Sequence, residues 1–103
     1  MRTHWVMDYE TMVNLFVAVF QDYVSKETHI FKIHSSLNND IKPLIKFLKR
    51  NKSLKEKHIS FNGLSFDSQI TEFILKESDN LIKMDQEDSV AEIYAVAQKT
   101  IEL

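Results

Sequence analysis

Polar and apolar residues alternate with period two in the first third of the chain and recur near period 3.6 after it, so strands come first and helices later. From Trp5 to Glu10, Trp5, Met7 and Tyr9 point one way and Val6, Asp8 and Glu10 the other, which predicts a short half-buried strand. Thr11 and Met12 lead into Val13 to Tyr23. Its run from Leu15 to Phe20 is wholly apolar, the pattern of a central strand covered on both faces. Ser25-Lys26-Glu27 turns the chain into a third strand, Thr28 to His34, without a glycine to fix the turn type.

Asn38-Asn39-Asp40 then offers a helix N-cap, Pro43 suits a first turn, and Ile41, Leu44, Ile45 and Leu48 recur at helical spacing over about three turns. His58 to Phe61 reads as a short strand closed by the Asn62-Gly63 turn. Phe66, Ile70, Phe73 and Ile74 form the buried stripe of a second helix. A polar break at Ser78 to Asn80 and an acidic lead-in at Asp85 to Asp88 precede a third, with Val90, Ile93, Tyr94, Ala97 and Ile101 on its stripe. The order β-β-β-α-β-α-α predicts one α/β (α+β) domain over 1–103. A three-stranded antiparallel sheet gains one parallel strand, which the helical crossover returns beside the first.

Composition narrows the function. With 44% hydrophobic residues in 103, a modest core forms. Zero cysteines remove disulfides, thiolate metal sites and thiol nucleophiles, and fit an intracellular, cytoplasmic protein. No basic leader precedes an apolar stretch, and Leu15 to Phe20 is far too short to cross a bilayer, so a soluble protein is expected, without membrane contact. Charge is asymmetric: Lys46 to Lys57 holds six cations against Glu56, whereas Ser68 to Leu103 holds eight acids against three lysines. The basic run complements the end of its helix and stays solvated, although beside a carboxylate site it would also steer a polyanion.

Most other chemistries fall away. His29 and His34 sit on opposite sides of one strand, against a zinc site. One glycine cannot build a phosphate-binding loop, and no serine has a base and oxyanion partner in view. Met7, Met12 and Met84 read as core filling, and Trp5 as buried by its alternation with Met7. Three carboxylates remain. Asp8 and Glu10 share one face of the first strand, roughly 6.5–7 Å apart, and Asp67 opens the helix after the fourth strand. Were they to converge, they would suit two hard cations about 3.5–4 Å apart and the in-line hydrolysis of a phosphodiester.

Asp8-Tyr9-Glu10-Thr11 at the end of a first strand resembles the first motif of the DEDD superfamily, the DnaQ-like 3′-to-5′ exonucleases. His58-Ile59-Ser60-Phe61-Asn62-Gly63-Leu64-Ser65-Phe66-Asp67 resembles the second, in the form found in proofreading domains of B-family DNA polymerases. The resemblance covers essentially the whole chain and implies a ribonuclease H-like fold. By it, Asp8, Glu10 and Asp67 are catalytic ligands of two Mg²⁺ or Mn²⁺ ions, Asn62 touches a single-stranded DNA or RNA 3′ end, and Thr11 and Met12 cradle the terminal nucleotide.

The third motif and its acid do not appear. Tyr94-Ala95-Val96-Ala97-Gln98 comes nearest, with an amide where the carboxylate belongs. A fifth strand is also missing, which implies an N-terminal portion of the domain, inactive alone, whose open sheet flank is covered by further C-terminal sequence or a partner chain. The rival reading is a non-catalytic ribonuclease H-like module that binds nucleic acid or protein.

Overall fold

The alternating first third of the chain forms a meander. In the computed structural model, which describes residues 3–37, 39–60 and 66–102, strands β1 (His4–Met12), β2 (Leu15–Asp22) and β3 (Thr28–His34) pair antiparallel in sequence order. Val13-Asn14 alone joins β1 to β2, since Met12 pairs with Leu15. The second turn closes on Asp22, whose carboxylate accepts the Val24 (2.9 Å) and Ser25 (3.2 Å) amides. Those bonds hold its carboxyl below the usual range. Lys26 adopts φ 66, the left-handed geometry that a glycine would supply more easily.

Helix α1 (Ile41–Ser53) carries the chain across the sheet, so that β4 (Lys57–Ser60) lies parallel to β1. The strand order β3-β2-β1-β4 makes an α+β fold with a mixed four-stranded sheet, as the crossover predicts. Phe61 and the Asn62-Gly63 turn lie outside the described residues, as does Asn38. Asp40 is the N-cap residue of α1 but makes no side-chain cap; its Oδ2 accepts the Lys32 amide at 2.9 Å instead, tying the helix entrance to β3.

At the other end of α1, the Lys55 amide donates to Lys52 O (3.1 Å) and the Glu56 amide to Asn51 O (2.9 Å), a Schellman closure with Lys55 at φ 56. A side chain with a Cβ is strained there. Lys55→Gly is therefore expected to raise stability by about 0.5–1 kcal/mol. A urea midpoint that fails to rise would show that the turn carries no such strain.

Helices α2 (Phe66–Lys76), α3 (Ser78–Lys83) and α4 (Gln86–Glu102) complete the chain. The expected polar break at Ser78 to Asn80 is corrected: those residues begin α3. Asn80 bonds Glu77 at 2.8 Å, and Ser89 of α4 donates to Leu81 O at 3.1 Å. Trp5, Met7 and Tyr9 of β1, Phe16, Ala18 and Phe20 of β2, and Phe31 and Ile33 of β3 are buried with apolar residues of all four helices. Phe20 stands at the centre, with ring centroids 4.8 Å from Phe47 and 5.9 Å from Tyr9. Burying such a ring stabilises by about 1.5–3 kcal/mol.

The other sheet face corrects a second expectation. Leu15, Val17 and Val19 are only half-buried, so β2 is covered on one face, not two, among the described residues. The run is uniformly apolar although its alternate side chains face away from the helices. Met12, at 44% exposure, is likewise no core filler.

Candidate functional site

Alternation along β1 fixes where the first two carboxylates go. Trp5, Met7 and Tyr9 enter the core, and Asp8 and Glu10 are exposed on the open face. There Asp8 lines a shallow depression of about 200 Å³ with Val6, Val19, Gln21 and Thr28. Thr11 is half-buried, Met12 projects outward, and Asn62 lies outside the described residues.

Asp67 is placed differently. It sits in the first turn of α2, where its charge complements the helix dipole, yet it is only 1% exposed. Its Oδ2 accepts the Ser60 hydroxyl at 2.7 Å, and its Oδ1 has no hydrogen-bond partner among the described residues. It lines a cavity of about 390 Å³ on the helix-covered side, between β4 and α2, together with Met7, Ser60, Thr71 and Glu72. Burial pushes its carboxyl above the usual range against the opposing Ser60 bond, and the charge of Asp8 pushes the same way. Tyr9 is coupled to this group. Its hydroxyl bonds Thr71 Oγ1 at 2.6 Å, and burial, with the field of Asp67 added, drives its proton affinity far up.

The structure thus brings Asp8 and Asp67 within electrostatic reach at the junction of β1, β4 and α2, but turns Asp8 and Glu10 to one sheet face and Asp67 to the other. No group of three or more His, Asp or Glu side chains among the described residues is disposed to hold a metal ion. The orphaned Asp67 oxygen suits one hard cation. A two-ion site is not formed by these carboxylates as they stand, so no hydrolytic step follows from this geometry.

Beside the cavity lies a polar cluster that patterning does not reveal. Glu56 accepts the Thr3 amide (3.0 Å) and the Trp5 indole N–H (3.1 Å). Asn51 is completely buried. With its amide oxygen turned to His58 Nε2 (3.0 Å), its nitrogen donates to Glu56 Oε1 (3.1 Å) and Phe47 O (3.3 Å). That orientation, assigned from the bonding network, satisfies every partner and puts the His58 proton on Nε2. Burial raises the Glu56 carboxyl, but the Trp5 and Thr3 bonds outweigh it and hold the group below its usual range. Burial also lowers His58, which Glu56 only partly offsets. Asn51 stands inside the Lys/Arg run and reads as solvated there; only its one-turn offset from Phe47 and Leu48 hints at burial.

No helix among the described residues is long and apolar enough to cross a membrane. In comparisons with family models, with curated proteins and with solved structures, nothing matches the chain.

Proposed function

We propose that this chain is the front portion of a metal-dependent 3′-to-5′ exonuclease domain of the ribonuclease H-like type, acting on single-stranded DNA or RNA ends. The observation that carries the reading is Asp67: a buried carboxylate in the first turn of α2, within the field of Asp8, with one oxygen that has no hydrogen-bond partner among the described residues. A buried polar group without a partner marks strain, a catalytic role, or a place that a water or ion completes, and perturbed carboxylates cluster at functional sites. Asp67 would hold a Mg²⁺ or Mn²⁺ ion, with Asp8 nearest to join it and Glu10 beside Asp8. When bound, such an ion polarises phosphate oxygens and lowers the pKa of water. The chain's own part is to present anionic oxygens from one strand and a helix start, and to keep Asp67 dry.

The test is a Mn²⁺ titration of the 103-residue chain followed by electron paramagnetic resonance. One ion is expected to bind, about tenfold or more weakly after Asp67→Ala, and Asp8→Ala is expected to weaken it in the same direction. A longer gene product given a 3′-labelled single strand should shorten it stepwise, and either substitution should abolish this. Shortening unchanged in both variants would remove the assignment.

A second reading has one observation in its favour. Asp8 and Glu10 face away from Asp67, as suits a non-catalytic ribonuclease H-like module that binds protein or nucleic acid through its open face. Mn²⁺ binding that ignores all three carboxylates would select it.

A further inference from the structure

The open sheet face carries a pattern that neither the core nor the cation reading uses. All four helices lie on one side, and the other presents half-buried Val6, Leu15, Val17 and Val19 beside Ile30, which is 54% exposed. The solvated face of a mostly antiparallel sheet ordinarily alternates to polar residues, and along the central strand of this one it stays apolar from Leu15 to Val19. The cross-strand register then distributes charge in a particular way. Glu10, Val17 and Lys32 occupy one row across β1, β2 and β3, and Asp8, Val19 and Ile30 occupy the next. The acid and the lysine of the first row thus stand on opposite sides of β2, each one strand spacing, about 4.8 Å, from it. They form no ion pair with each other; the His29 ring lies 3.4 Å from the Glu27 carboxylate instead.

We propose that this face is a self-association surface on which a second copy of the chain docks, about a two-fold axis running along β2. The occupant is identified by charge complementarity. Rotation about that axis exchanges the positions of β1 and β3 while keeping each row level, so Glu10 of one copy meets Lys32 of its partner, and the reverse pair forms at the same time. Val17 faces Val17 and Val19 faces Val19, at the spacing of about 10 Å that aligned sheets adopt. Asp8 comes to lie over Ile30, diagonal to the same lysine, so its carboxylate also gains a cation. An axis over β1 sets Glu10 against Glu10 of the second copy, and one over β3 or β4 sets it against nothing. Docking here covers Asp8 and Glu10 in both copies, so association and access of a polyanion or cation to these acids exclude each other. This goes beyond the exonuclease reading, and it is read out by mass and not by cleavage.

Sedimentation equilibrium of the whole chain, with far-ultraviolet circular dichroism to confirm folding, tests it. A concentration-dependent dimer is expected. Lys32→Glu and Glu10→Lys each replace two attractive pairs by two repulsive ones and should weaken it about tenfold to a hundredfold. The double exchange, Glu10→Lys with Lys32→Glu, restores both pairs and should restore the dimer. Both positions of the test are exposed strand residues, so the fold is retained. A chain monomeric at every concentration, a dimer indifferent to the single exchanges, or a double exchange that stays monomeric would each overturn the proposal and leave the face to nucleic acid, another protein or further sequence.

Discussion

Asn51→Ala is expected to lower the unfolding free energy by about 2–4 kcal/mol, a large share of the total for a domain of this size. The side chain is completely buried and joins three elements, through His58 on β4, Glu56 in the turn after α1, and the Phe47 carbonyl inside α1. Truncation removes one bond each from the His58 N–H, the Glu56 Oε1, which keeps the Trp5 indole, and the Phe47 carbonyl, and leaves a small cavity where the buried amide stood. Urea unfolding measures it directly; a shift below ~1 kcal/mol would mean that the cluster is hydrated in solution. The same cluster sets an acid response. Because burial lowers the His58 pKa, the folded state binds a proton there less readily than the unfolded chain. The contribution of neutral His58 is complete above its unfolded pKa of about 6.5 and is lost as pH falls through the lower folded value.

Asp67→Asn is expected to act in the opposite sense, stabilising the fold at pH 7 by about 1 kcal/mol while removing cation binding. The amide oxygen keeps the Ser60 bond, and the charge, which has no counter-ion there, disappears. The sign follows from linkage. The folded-state pKa of Asp67 is raised, so the folded chain holds that proton more tightly than the unfolded one, and ionisation costs stability as pH rises through the folded value. The advantage of the variant should therefore be full at neutral pH and shrink toward nothing below the ordinary aspartate range. An Asn variant less stable than the parent at pH 7 would show that the carboxylate has a structural partner, and the strongest support for a ligand site would go with it.

The sequence makes the element order legible wherever one period dominates. Trp5-Met7-Tyr9 against Asp8-Glu10 places β1 correctly, and Ile41, Leu44, Ile45 and Leu48 place α1. Where the signal is short or uniform it fails. Helix α3 spans six residues and offers only Leu81 as an apolar buried anchor, so no period exists to read. The Leu15 to Phe20 run is apolar on both sides of the strand, yet burial discriminates Phe16, Ala18 and Phe20 from their neighbours, because only one face meets helices. For the site, residue types and spacing select Asp8, Glu10 and Asp67, and alternation sets the face of the first two but not that of Asp67. The direction of Asp67 depends on how α2 lies over β4, a tertiary fact carried by Ser60, Thr71 and Tyr9, none of which spacing marks out.

The indole of Trp5, the sole tryptophan, donates to a glutamate 51 positions further along and packs edge-on against Phe47, with ring centroids 5.1 Å apart. Neither partner belongs to the meander that contains it. Its emission consequently reports the arrival of the crossover at β1, the most distant closure in the sheet and the kind that topology makes slowest. The His29 ring of β3 also packs edge-on against the indole, with centroids 5.4 Å apart, so optical kinetics on this molecule time the closing of the meander as well as the last stitch that brings the crossover home.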